Sequence, residues 1–139
     1  MNKFYSISTI KKNVKELGKR INAPKRYLTL RTTTDGFGTP HIEIVENGYN
    51  YVVSERGVEY ERKQTKDIKE LLYWIFKDIV FSMASEYELE HRKPNEDSRR
   101  QLFAKIIELM EQIDSKFAKW QKEELDKFLE ENPYDDDNL

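Results

Sequence analysis

Apolar residues recur at three- and four-residue intervals from Asp67 to Arg92, where Ile68, Leu71, Leu72, Ile75, Ile79 and Met83 mark one face of a helix. At about 100° per residue, Trp74 and Phe81 fall on the other side of that helix. A helix apolar on two sides is either clamped between layers or displays aromatics to a partner. Thr65 is placed to cap it, Asp67 suits the dipole of its first turn, and Pro94 limits its end near Arg92. A narrower stripe of Ile7, Ile10, Val14, Leu17 and Ile21 predicts an N-terminal helix, capped by Ser6 and ended by Asn22 and Pro24. Downstream, Leu102, Phe103, Ile106, Leu109, Met110 and Ile113 predict a helix capped by Asn95. Asp114-Ser115 breaks the pattern and caps a last helix bearing Phe117, Trp120, Leu125, Phe128 and Leu129, which stops before Pro133.

Between these helices the period changes to two. Tyr27 to Thr33 alternates as a strand does. His41–Glu46 and Tyr49–Ser54 flank Asn47-Gly48, a pair that specifies a two-residue type I′ hairpin turn. That turn pairs Glu46 with Tyr49, Ile44 with Tyr51 and Ile42 with Val53. Ile42, Ile44, Tyr51 and Val53 then share one face, while Glu43 and Val52 face away. A second turn at Glu55-Arg56-Gly57 leads into Val58, Tyr60 and Arg62, alternating with Glu59 and Glu61. The expected fold is α+β: an N-terminal helix, a three- to four-stranded antiparallel β-meander, then a long central helix and C-terminal helices packed on one face of the sheet. No repeat or long linker divides the pattern. Residues 1–133 are therefore expected as one domain, and the acidic residues 134–139 as a disordered tail.

Composition removes several chemistries. With no cysteine there is no disulfide, thiolate metal site or thiol nucleophile. The N-terminus lacks an apolar leader and no apolar run reaches the ~18 residues of a membrane span, so a soluble, cytoplasmic protein is expected. Charge is unevenly placed. Residues 1–34 carry nine Lys/Arg against Glu16 alone, whereas residues 111–139 carry ten Asp/Glu against four lysines. Such polarity can steer a charged partner, or the two ends can lie close and partly cancel.

Few residues suggest chemistry. Thr34–Pro40 contains a glycine-x-glycine, but no helix follows to present amides to a phosphate, so it reads as a loop. His41 and His91 have no metal-ligand spacing and assemble no triad. Glu86 sits within the apolar face of the long helix, Glu90 lies one turn on, and Arg99 is on the apolar face of the next helix. A short connection would bring Glu86 or Glu90 to Arg99 as a semi-buried ion pair fixing the register of the two helices. Trp74, Phe81 and Trp120 read as core, or alternatively as a binding hot spot. Lys11, Lys12, Lys15 and Lys19 form a basic helix face that could meet nucleic acid, a reading that the acidic remainder weakens.

Read as ordered blocks, the chain resembles the Immunity protein 63 family, cognate inhibitors in bacterial polymorphic-toxin systems. The blocks are HIEI at His41–Ile44, YVV at Tyr51–Val53, ERGVEYER at Glu55–Arg62, LLYWIF at Leu71–Phe76, FSMA at Phe81–Ala84, YEL at Tyr87–Leu89 and HR at His91–Arg92. Asp97, Arg99, Arg100 and Phe103 fit the following portion, and Pro133 with Asp135-Asp136 resembles the family's ending; Ser98 departs from it, where a bulkier residue is expected. The likeness spans roughly Ile7 to Asp136. It implies an α+β fold, no cofactor or catalysis, and a toxin domain as protein partner, but carries no contact residues. If that toxin is a nuclease with a basic groove, Glu123, Glu124, Glu130, Glu131, Asp135, Asp136 and Asp137 form the expected acidic binding face. The rival readings are a non-enzymatic interaction module displaying Trp74 and Phe81, and a nucleic-acid binder using the lysines.

Overall fold

The structure is a computed structural model that describes residues 4–137. Its elements run α1 (Ile7–Lys19), β1 (His41–Val45), β2 (Gly48–Glu55), β3 (Val58–Thr65), α2 (Ile68–Glu90), α3 (Ser98–Ile113) and α4 (Ser115–Glu131). The α+β class, the leading helix and the long helix after an antiparallel sheet agree with the hydrophobic pattern. The sheet has three strands. The backbone gathers into two compact units: the chain up to Lys19 with Pro24–Phe76, and Arg20–Ala23 with the chain from Lys77. The dividing point lies inside the unbroken helix α2, so no linker composition marks it.

In the first unit, Ser6 caps α1 by accepting a hydrogen bond from the Thr9 N–H at 3.2 Å, and Ile10 and Val14 are buried. Tyr27–Thr33 forms no strand. A 3₁₀ turn covers Lys25–Tyr27, and of the irregular backbone that follows, the Arg31 carbonyl accepts from the Ile42 N–H at 2.9 Å.

The three strands lie in the order β1-β2-β3, all antiparallel. The first hairpin is offset from the expected register. Val45 opposes Gly48, Ile44 opposes Tyr49 and Ile42 opposes Tyr51, so the turn residues are Glu46 and Asn47. Gly48 thus belongs to β2 and not to the turn: its φ is 141°, and a Cβ there would lie 2.4 Å from the Thr65 carbonyl oxygen. Each partner moves by two residues, which leaves every side chain on its expected face. A turn with both central residues in the left-handed region, as type I′ requires, occurs instead at Arg56-Gly57, with φ of 51° and 80°. A bulge between Val53 and Ser54 leaves Tyr60 as the extra residue of β3.

The central strand β2 is buried along most of its length, whereas β3 is exposed except at Lys63 and Thr65. Ile42, Tyr49 and Tyr51 are buried on one face, where the Tyr51 ring lies 6.2 Å from that of Trp74 on α2. Leu71, Leu72, Tyr73, Ile75 and Phe76 of α2 are buried as well. Full burial of one such side chain contributes about 1.5–3 kcal/mol, so this apolar set outweighs any surface pair in holding the unit.

In the second unit, α2 continues through buried Ile79, Val80 and Ala84. The single residue Asp114 separates α3 from α4, closing the first and capping the second through the Lys116 N–H at 2.8 Å. The α3 cap is Asp97 rather than Asn95: its carboxylate accepts from the Arg99 N–H at 3.0 Å. Ile106, Leu109, Met110, Ile113, Phe117 and Ala118 are buried. The Phe103 and Phe128 rings meet edge-on at 6.1 Å between α3 and α4.

Candidate interaction surfaces

The polar face of the sheet is a connected network. Gln64 donates to Asn50 (2.9 Å), Asn50 donates to Glu43 (3.0 Å), and Arg62 bridges Glu43 (2.7 Å) and Glu59. The Arg62 guanidinium, followed by the Asn50 amide, pulls the Glu43 carboxyl down to about 2. His41 is buried at the end of this ladder, with Nε2 3.5 Å from Glu43. Glu43, Glu59 and Arg62 are all paired, which suits a structural element more than a reactive one, while His41 Nδ1 is buried without a hydrogen-bond partner.

The β2–β3 end of the sheet differs. The loop read from Thr34–Pro40 as mere turn chemistry docks against β2: Phe37 bridges to Glu55, the Gly38 N–H donates to the Ser54 carbonyl, and the Arg56 N–H donates to that of Gly36. The Asp35 carboxylate accepts from the Phe37 N–H at 2.8 Å. This bond and one from the Thr39 side chain, the larger influence, lower the Asp35 pKa. The backbone is thus held at several points, yet the Phe37 ring is 85 % exposed. Val58 at 53 % and Tyr60 at 68 % extend this apolar surface along β3. Alternation places Val58 and Tyr60 on a strand without giving them a binding role; for Phe37, an aromatic set between two glycines is the available signal.

The acidic end of the chain is less free than its composition suggests. Asp135 and Asp136 of the acidic tail are bonded to the start of α3. Asp136 accepts from the Asp97 N–H (2.8 Å) and pairs with Arg100 (3.0 Å), and the Asp135 N–H donates to Asp97 (3.0 Å). The Tyr134 ring lies 4.2 Å from the Arg100 guanidinium and 5.6 Å from that of Arg99. Glu124 pairs with Lys77 at 2.8 Å. Among the described residues, Glu123, Glu130 and Glu131 have no ion-pair partner, and Asp137 uses its N–H on Asp135. Along α4, Lys119, Glu123, Lys127 and Glu131 recur every four residues with alternating sign, so the helix is a mixed surface and no acidic sheet. Asn138 and Leu139 lie outside the described residues.

Of the expected Glu86/Glu90–Arg99 cluster, the structure shows Arg99 engaged with other partners. Arg99 is taken up by Asp97 at 2.8 Å and by the carbonyls of Asn132 and Pro133, both at 2.9 Å. Glu86 and Glu90 are exposed, so no desolvation penalty requires an arginine beside them. The Arg99 guanidinium holds the Asp97 carboxyl well below the usual carboxylate range. The buried acid of α2 is Glu88, paired with Arg92 at 2.7 Å. Trp74 is half-buried under Lys63, Trp120 stacks near Phe117, and Phe81 is 52 % exposed. His91 stacks on Tyr87 at 4.1 Å. Lys11, Lys12 and Lys15 line an open surface cavity of about 430 Å³ on α1, and Lys19 is exposed. Among the described residues no group of three His, Asp or Glu is placed to hold a metal, and no helix is long and apolar enough to cross a membrane.

No curated protein and no solved structure matches the chain. One family model does, that of Immunity protein 63, over residues 46–127. The match takes in β2, β3, α2, α3 and most of α4. It is narrower than the likeness read from the blocks, since His41–Ile44 and the Pro133–Asp136 ending fall outside it. With more than half of its length matched, this chain belongs to the Immunity protein 63 family.

Proposed function

We propose that this protein binds a cognate bacterial toxin domain and blocks it stoichiometrically, without chemistry of its own. The observation that carries this reading is the family match across β2–α4, the region that holds both the strand hairpin and the helical pair. A paired polar network and exposed aromatics on a fixed backbone suit recognition of another polypeptide. We assign the exposed acids Glu123, Glu130, Glu131 and Asp137 a steering role. Mixed with the lysines of α4, they accelerate encounter with a basic toxin surface and add little to the lifetime of the complex. The direct test is co-expression with the toxin domain encoded beside this chain. Growth should be restored in proportion to the amount of this protein, and the two chains should co-purify in equal amounts. Cells that die despite excess protein would remove the reading.

A further inference from the structure

We propose that the β2–β3 end of the sheet, led by the projecting Phe37 ring, is the surface that seats on the toxin; this rests on the reading of the chain as a toxin-binding immunity protein. Phe37, Glu55 and Val58 are opposed in register across adjacent strands, so they share one face. At about 4.8 Å between strands, Phe37 and Val58 stand about 10 Å apart. Tyr60, displaced by the bulge, adds a second exposed ring.

Three features make this patch a recognition surface. Bonds from Asp35, Ser54 and Arg56 already fix the backbone around Phe37, so little conformational freedom remains to be lost on binding. The rings are large and still wet, the property of anchors that fill a partner's pocket. The bulge and the paired charges Glu59–Arg62 and Glu61–Lys63 guard the open edge of β3 against adding a strand from a second copy. Recognition is left to side chains.

The carboxylates beside the ring suit one kind of occupant, with Arg31 and Arg56 as their own cationic neighbours. Asp35 bonds the Phe37 backbone, and the Glu55 carboxylate lies 3.8 Å from where a Gly38 Cβ would stand. An aromatic knob with the Asp35 and Glu55 carboxylates in its neighbourhood fits a protein domain with an apolar recess that offers Lys or Arg beside it. The same carboxylates oppose a phosphate backbone.

The test titrates the toxin domain encoded beside this chain with wild-type protein, Phe37→Ala and Tyr60→Ala. Thermal melts and sedimentation of each variant accompany it. Each substitution should weaken binding by about 30-fold while leaving the melt unchanged, because the rings are exposed in the folded chain. Asp35→Asn with Glu55→Gln should slow association and flatten its salt dependence. Wild-type-like affinity in both ring variants overturns the proposal. So does a wild-type dimer that Phe37→Ala dissociates, which would assign the patch to self-association. If wild type itself does not bind, the functional reading fails rather than the choice of surface.

Discussion

The β2–β3 end of the sheet and the acidic end of the chain present opposite kinds of surface. At the first, the backbone is bonded in place and the apolar side chains are left in water: Phe37, Val58 and Tyr60 are exposed beside a loop tied to Ser54 and Arg56. At the second, the side chains do the tying, and the charges that look available are partly spent, Asp136 on Arg100 and Glu124 on Lys77. The contrast teaches that a count of like charges overstates what a partner can feel. An unburied ring on a fixed backbone is the better marker of a binding surface, because its desolvation still lies ahead.

The largest expected effect concerns what holds the sheet. Gly48→Ala must push a Cβ against the Thr65 carbonyl at an unfavourable φ, and should cost about 2–4 kcal/mol in urea unfolding. Gly57→Ala meets only strain, since no atom lies within 4 Å of its Cβ position, and should cost about 1 kcal/mol. Equal costs at the two positions would contradict the register.

The polar face of the same sheet should respond to acid. Glu43 titrates at about 2 in the folded chain against the ordinary 4.5, so its contribution is complete above pH 4.5 and is lost as pH falls towards 2. Screening at a carboxylate about a third exposed reduces that contribution to about 1 kcal/mol. Stability of wild type should fall between neutral pH and about pH 3 more than that of Glu43→Gln, by about half that amount or more. Parallel curves would show that Arg62 does not hold the acid.

At the acidic end the effects should be local. Arg99→Ala removes the bonds to the Asn132 and Pro133 carbonyls and frees one side of Asp97. Amide exchange should quicken at Asp135 and Asp137, with the global melt moving by only a few degrees. The smallest effect is expected from Glu123→Gln with Glu130→Gln. Association with the toxin domain should slow two- to threefold, by order of magnitude, at low salt, and dissociation should not change.

How far the sequence alone could reach differs between the same two regions. The hairpins, the α2 face and the Ser6 and Asp114 caps follow from periods and local residue types. Faces survived the register error because the slip was two residues. The local Asn-Gly signal carries nothing of the close approach of Gly48 to Thr65, seventeen positions on. Asp97 and Arg99 point to residues more than thirty positions away, and nothing in their neighbourhood announces that. By period Glu86 falls within the apolar stripe and Glu90 one turn on, yet the folded chain leaves both exposed.

The most direct measurement of the central claim follows the residual activity of the purified toxin domain as this protein is added. Inhibition by occupancy predicts a linear fall that ends at one equivalent and returns when the complex is dissociated. Activity that is unaffected by excess protein, or abolished by far less than one equivalent, would contradict it.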